Sequence, residues 1–297
     1  LCQNNQLTSV DVSSCTNLTN LSLSNNQISS IDVSNNISLE ILSLDGNNIS
    51  TIDITNNTVL ENLYLSDNTI SSLDFSNNLA LKYLILNDNQ ISSVNLSNLT
   101  SLISLTAHNN QINNIDVSNN LLLTGLQLQQ NPISSVDISS NTALTTFICS
   151  ATQLSSLDIS NNTSLVHLNL YSNQLSSLDV SNHPSLNRLN CSNNNLTSLN
   201  VANGNNANFI TFGATGNPNL DCITVDDVTW ANNNWTVSNY GRDAHTSFST
   251  NCDKTYVPDD NFEAYLETHD ASGNVVSVGD ANSMGDGIAN NDYVTTA

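Results

Sequence analysis

The chain has 297 residues, of which 26 are acidic and only four are basic, so its formal net charge at neutral pH is −22. Nucleic acids and anionic membranes bind clustered Lys and Arg, and this composition therefore argues against both as partners. No apolar run approaches the roughly 20 residues of a membrane-spanning helix, so we expect a chain that does not span a membrane. Leu1 falls inside a repeat, and we expect further domains of the same polypeptide beyond this piece.

A pattern of the form Leu-x-x-Leu-x-Leu begins at Leu18 and returns every 21 residues as far as Leu186, with a degraded copy at Phe209. Within a copy, inward Leu and outward Ser alternate from Leu21 to Ser24, which predicts a short strand with one buried face. One copy cannot bury these side chains alone, but stacked copies bury them as a continuous core. The pattern therefore predicts a coil of ten to eleven turns, with neighbouring turns about 4.8 Å apart.

The spacing Leu-x-x-Leu-x-Leu-x-x-Asn resembles the leucine-rich repeat, in the 21-residue form of bacterial secreted and cell-surface proteins. The resemblance covers residues 1–220. It implies a leucine-rich-repeat solenoid, a right-handed coil with a parallel β-sheet on its concave face and little helix. We expect residues 1–220 to form this solenoid, truncated at its N-terminal end.

An Asn stands at the end of almost every copy of the pattern, and only Thr152 departs from it. Buried backbone groups without partners are costly, so we interpret these Asn as structural side chains that satisfy the turn. The positions are Asn5, Asn26, Asn47, Asn68, Asn89, Asn110, Asn131, Asn173 and Asn194.

An Asp also recurs once per turn, at Asp11, Asp32, Asp53, Asp74, Asp116, Asp137, Asp158 and Asp179. Carboxylates about 4.8 Å apart repel each other, and two explanations compete. Either calcium lies between the carboxylates, or each Asp accepts hydrogen bonds from its own turn. Asn95 and Asn200 take the same position without the charge, which favours hydrogen bonding and no cofactor.

Residues 221–254 contain both tryptophans and the pair Cys222 and Cys252. This segment resembles the Cys-bounded caps that end leucine-rich repeats in secreted bacterial proteins, and the resemblance implies a cap closed by a Cys222–Cys252 disulfide. Two free thiols are the alternative. We expect residues 255–297 to be a linker or the start of a following module. Cys2, Cys149 and Cys191 fall on an inward position of the repeat, so we predict that they are small buried core residues.

Signals of catalysis are absent from the sequence, which has neither a Gly-rich phosphate loop nor a His-x-x-x-His pair. We therefore predict no enzyme activity and no metal site. What varies between turns is the outward face of the first strand, where the scaffold tolerates any side chain. Exposed aromatic and aliphatic residues clustered on one face suggest a partner site. The candidate binding residues are Ile41, Tyr64, Lys82, Tyr83, Ile85, His108, Ile148, His167, Tyr171 and Arg188.

Three functions fit the sequence. The first is extracellular recognition or adhesion at a bacterial cell surface, with a protein or glycan bound on the strand face. The second is a rigid structural spacer in a large surface protein, whose outward face merely tolerates these residues. The third is a carbohydrate-binding accessory of an outer-membrane uptake system, since Tyr stacks on sugar rings.

Overall fold

The computed structural model describes residues 2–239, 241–252 and 254–256, and the shorter pieces 265–266, 268–269, 272, 274–277 and 293–295. Most of the predicted linker at 255–297 therefore lies outside the described residues. Within the described part of the chain, no helix combines the length and apolarity needed to cross a bilayer.

A parallel sheet of ten strands extends along the solenoid from residue 20 to residue 213, with one three-residue strand from each of ten turns. The strands are β1 (Asn20–Ser22), β2 (Ile41–Ser43), β3 (Asn62–Tyr64), β4 (Tyr83–Ile85), β5 (Ser104–Thr106), β6 (Gly125–Gln127), β7 (Thr146–Ile148), β8 (His167–Asn169), β10 (Arg188–Asn190) and β12 (Thr211–Gly213).

The strand register follows the sequence period. Asn20 pairs with Ile41, and each later pair keeps the same 21-residue offset until β10, where Arg188 pairs with Thr211. The central residue of each strand points into the core, and both inward segments of a turn contribute to it. In one turn, Leu42, Leu44, Ile49 and Ile54 are all completely or almost completely buried. The expected leucine-rich-repeat solenoid is confirmed.

The remaining elements lie toward the C-terminal end. A second parallel sheet contains β9 (Ser177–Asp179), β11 (Ser198–Asn200), β13 (Cys222–Thr224) and β14 (Ser247–Ser249). An antiparallel pair is formed by β15 (Lys254–Tyr256) and β16 (Tyr293–Thr295). One α-helix, α1 (Val228–Asn234), and two 3-10 turns, Asn206–Asn208 and Val237–Asn239, also lie in this part of the chain.

The predicted Asn ladder satisfies backbone groups of two neighbouring turns. Asn110 donates from Nδ2 to the carbonyls of Leu86 at 2.9 Å and Ala107 at 3.2 Å, while its Oδ1 accepts from the Ile91 N–H at 3.0 Å. At the exception, the Thr152 hydroxyl donates its single proton to Asn173 Oδ1 at 2.6 Å, and the Cys149 carbonyl lies 3.3 Å from the same oxygen. The shorter side chain offers no amide to the preceding turn.

A second Asn column, which the sequence analysis did not single out, lies on the other side of the core. Asn57 is fully buried and donates from Nδ2 to the carbonyls of Val33 at 3.1 Å and Asn36 at 2.9 Å. The column also contains Asn36, Asn78, Asn120, Asn141 and Asn162, and all of its members are fully buried. Two amide columns therefore tie each turn to the one before it.

The Asp ladder uses its carboxylates for local turns, as the hydrogen-bonding alternative predicts. In each turn, Oδ1 of the Asp accepts from the N–H two residues on, as in the 2.9 Å bond from the Ser34 N–H to Asp32. Asn95 and Asn200 accept in the same way from the N–H groups of Ser97 and Ala202. Hydrogen bonds from the side chain and the backbone of Ser34 stabilise the charged form of Asp32 and lower its pKa. The neighbouring Asp side chains act in the opposite direction, but their effect is smaller.

The C-terminal end of the coil is closed by the predicted Cys222–Cys252 disulfide, which is confirmed, and by an aromatic cluster. Trp235 stacks on Phe212 with ring centroids 3.9 Å apart and contacts the edge of Phe209.

The Asp243 carboxylate accepts backbone hydrogen bonds at this end of the coil. In the earlier turns, backbone N–H groups donate to carbonyls of the following turn. At the end, the N–H groups of residues 216 and 217 donate instead to the Asp243 carboxylate, at 3.0 and 2.9 Å. The Asp243 carboxylate therefore takes the place of the carbonyl oxygens that a following regular turn would supply.

The free cysteines divide by position. Cys149 and Cys191 are fully buried as predicted, and burial raises the pKa of their thiols to about 11 and about 12. The prediction for Cys2 is wrong, because its side chain is exposed. Within the described residues, Cys2 lies at the edge of the stack, with a neighbouring turn on one side of it only. Cys15 is also exposed.

Asn110→Ala is expected to lower the free energy of unfolding by about 3 kcal/mol, because it leaves buried carbonyls and the Ile91 N–H without partners. Urea unfolding followed by circular dichroism measures the change. The matched variant is Thr152→Asn, which adds a rung to the ladder and is expected to raise the free energy of unfolding by about 1 kcal/mol. A stabilising Asn110→Ala or a destabilising Thr152→Asn would contradict this role of the ladder.

The pH dependence of stability should include the Asp ladder. The pKa of Asp116 is lowered in the folded protein by bonds from Ser118, so its contribution is complete above its unfolded pKa of about 3.9. That contribution is lost as pH falls through the lower, folded pKa. We expect the free energy of unfolding of the wild type to fall more steeply below about pH 4 than that of Asp116→Asn, which keeps the acceptor. Parallel slopes in urea unfolding would count against this, and we expect both proteins to have the same Tm with calcium and with a chelator.

Asp243→Ala is expected to loosen the C-terminal end by about 2 kcal/mol, because two backbone N–H groups lose a charged acceptor. Hydrogen exchange at residues 216 and 217 should accelerate, while exchange in β2–β4 stays as in the wild type. Asp243→Asn keeps one acceptor oxygen and should show an intermediate effect. Unchanged exchange at both amides would show that Asp243 does not close the coil.

Candidate functional site

The outward face of the ten-stranded sheet presents two side chains from each strand. The strands show burial patterns with a buried centre between partly or fully exposed neighbours, as in Asn62–Tyr64 and Tyr83–Ile85. All of the sequence-predicted binding residues lie on this face or directly beside it. The structure divides them into an N-terminal group on or beside β2–β4, with His108 at its border just after β5, and a C-terminal group on or beside β7, β8 and β10.

The N-terminal group contains four large side chains, which we call the tyrosine patch: Ile41, Tyr64, Tyr83 and Ile85. Tyr64 pairs directly with Ile85 across β3 and β4, and Tyr83 lies two residues before Ile85 on the same face. Ile41 pairs with Asn62, so it is a diagonal neighbour of Tyr64. Tyr83 is 41% exposed, and the other three are half-buried.

Acidic residues border the tyrosine patch at both ends of its strands. Glu61 stands before β3 and forms an ion pair of 2.7 Å with Lys82, which stands before β4. On the other side, His108 Nδ1 lies 3.9 Å from the Asp88 carboxylate. Further carboxylates beside the patch belong to Glu40, Asp45 and Asp67, and all three are at least partly exposed. The patch is therefore an apolar centre with an acidic rim.

The C-terminal group surrounds a hollow of about 630 Å³ that is open to solvent. His167 and Tyr171 line it, while Ile148 lies one strand away, paired with Asn169. Arg188 pairs with His167 across β8 and β10. Partial burial and the nearby Arg188 lower the pKa of His167, so this imidazole is neutral at pH 7.

Sequence reasoning missed the polar residues that shape this hollow, including Asn169, Asn190 and Gly213. The signal lies in one row of the repeat, where adjacent turns carry Asn, Asn and then Gly. This row is visible only if the turn that leads from β10 to β12 is given 23 residues instead of 21. That length places Gly213 opposite Asn190, as the strand pairing shows.

The two groups are separated by β5 and β6, whose outward residues are Ser104, Thr106, Gly125 and Gln127. They also differ in charge, because carboxylates border the tyrosine patch, whereas neutral amides and hydroxyls predominate around the hollow. Among the described residues, no three His, Cys, Asp or Glu side chains lie close enough together to hold a metal ion. The face is therefore suited to contact with a partner.

No protein-family model matches the sequence, and no curated protein matches it. Among solved structures, the chain is similar to the functional domain of InlJ from Listeria monocytogenes, with 29% identity and a TM-score of 0.70 over 76% of this chain. Internalin C2 from the same species shows 26% identity and a TM-score of 0.53, over 55% of this chain and 78% of that chain.

The leucine-rich-repeat protein LIC12759 from Leptospira interrogans is similar in fold, with 24% identity and a TM-score of 0.63 over 75% of this chain. The chain spans only part of these proteins, 54% of the InlJ domain and 60% of the Leptospira protein. The chain is therefore a leucine-rich-repeat protein, and its solenoid of 21-residue turns is of the bacterial type.

Proposed function

We propose that this chain is an extracellular recognition module that binds a protein partner through the tyrosine patch. The observation that carries the proposal is the direct pairing of Tyr64 with Ile85, beside the exposed Tyr83. Tyr side chains supply large, rigid contact areas and are enriched among residues that dominate binding energy. A spacer needs no such cluster on a face whose other side chains are mostly Ser, Thr, Asn and Gln.

The charges around the tyrosine patch indicate the kind of partner. Glu40, Asp45, Asp67 and Asp88 border an apolar centre, and the whole chain has a net charge of −22. Such a surface repels acidic proteins and speeds the encounter with basic ones. The partner's contact surface is therefore apolar at its centre and lined by Lys or Arg.

The Cys222–Cys252 disulfide supports an extracellular location, because structural disulfides persist in oxidising compartments. The similarity to an internalin and to the InlJ domain of Listeria monocytogenes supports a bacterial secreted or cell-surface protein. Binding rather than catalysis is supported by the buried, unreactive thiols of Cys149 and Cys191. Recognition or adhesion at a cell surface fits these features.

The test is binding of the chain to an array of purified secreted and matrix proteins that span acidic to basic isoelectric points. We expect binders among the basic proteins, with affinity that falls as salt rises from 50 to 500 mM because the rim charges are exposed. The variant Tyr64→Ala/Tyr83→Ala is expected to weaken binding at least tenfold, since each aromatic anchor contributes roughly 2 kcal/mol.

A matched control is Ile37→Ala/Leu79→Ala, which removes exposed apolar side chains from turns outside the sheet, where they are 60% and 54% exposed. This control is expected to bind like the wild type, and all three proteins should share the same circular dichroism spectrum. Loss of binding in the control alone would place the interface elsewhere. An array without any binder, with all proteins folded, would favour the spacer function.

A further inference from the structure

The hollow at the C-terminal end of the outward face is a different kind of site from the tyrosine patch. It measures about 630 Å³, within the range of small-molecule pockets in proteins, roughly 300–1,000 Å³. Core residues Leu189 and Phe212 lie at its base, and Tyr171 at its side is 41% exposed. Phe212 is held in place by its stacking on Trp235.

Gly213 opens the hollow. This residue takes the outward position of β12, where Asn190 and Asn169 stand in the two preceding strands. A Cβ at Gly213 would lie 3.0 Å from Ser192 Oγ and 3.1 Å from Asn190 Oδ1. Any larger residue would therefore fill the space above β12 and press on the polar side chains around it.

Two amide groups project toward this space with a defined orientation. Asn169 Oδ1 accepts from the Tyr171 N–H and Asn190 Oδ1 accepts from the Ser192 N–H, both at 3.1 Å. A backbone N–H is a donor, so each side-chain oxygen must face the backbone and each Nδ2 must turn away from it. In the part of the chain that the structure describes, neither Nδ2 has a hydrogen-bond partner.

The spacing and chemistry of these donors suit a sugar. Asn169 and Asn190 are paired across neighbouring strands, which places their Nδ2 groups about 4.8 Å apart, a spacing that alternate hydroxyls of a pyranose ring can match. The exposed ring of Tyr171 can cover the apolar face of such a ring. Among the described residues, no carboxylate, Lys or Arg side chain lines the hollow, and His167 is neutral at pH 7, so the lining favours an uncharged ligand.

We propose that the hollow above Gly213 is a second binding site, which takes a pyranose ring of a neutral glycan between Tyr171 and the amides of Asn169 and Asn190. The site does not depend on the tyrosine patch, which lies on other strands and has acidic borders. A recognition module with both sites binds a protein through one and a glycan through the other.

The test is binding of the full chain to immobilised neutral and sialylated oligosaccharides, followed by calorimetry with the best binder. Asn190→Asp is the sharpest variant, because it keeps the acceptor for the Ser192 N–H, as the Asp ladder does at Ser34, but replaces the outward donor with an oxygen. We expect neutral glycans to bind the wild type, and Asn190→Asp to weaken binding at least about tenfold.

Gly213→Ala tests the same site by filling the hollow, and it keeps the inference testable if Asn190→Asp fails to fold. It should also weaken binding about tenfold or more. The Tyr64→Ala/Tyr83→Ala variant should bind the glycan like the wild type, so failure here is distinguishable from failure of the protein-binding proposal. The inference is overturned if folded wild type binds no neutral glycan at millimolar concentration, binds only sialylated ones, or if both hollow variants bind like the wild type.

Discussion

The structure depends on one requirement, that every turn must satisfy its backbone polar groups through the neighbouring turn. Three-residue strands form too few ladder bonds to do this alone. Buried Asn side chains supply the further hydrogen bonds that the backbone groups need. Asn110 and Asn57, for example, donate to carbonyls of the preceding turn. A short amide reaches two backbone groups at once, which lets a 21-residue turn close without a helix.

The same requirement explains the ends of the coil. The turn at residues 216 and 217 has no following turn of the regular kind, and the Asp243 carboxylate accepts its N–H groups instead. Aromatic packing between Trp235 and Phe212, together with the disulfide, covers the core there. At the other edge of the described stack Cys2 is exposed, although its position in the repeat is a core position.

Function is separated from this scaffold. The residues that hold the turns together point inward or into the turns, so the outward row of each strand is free to vary. That freedom produces two unlike surfaces on one sheet, an apolar patch with acidic borders around Tyr64 and a neutral hollow around Gly213. Each surface requires side chains from several turns, and the rigid stacking of the turns keeps them at fixed spacing.

The sequence by itself determined the solenoid and the Asn ladder and favoured a local hydrogen-bonding role for the Asp ladder, because period and hydrogen-bonding capacity are properties of a single turn. It also placed Tyr64, Tyr83 and Ile85 on the outward face. Only the tertiary structure decided that Asn169, Asn190 and Gly213 border one hollow. That arrangement depends on the register between neighbouring turns and on the 23-residue turn before β12, which places Gly213 beside Asn190.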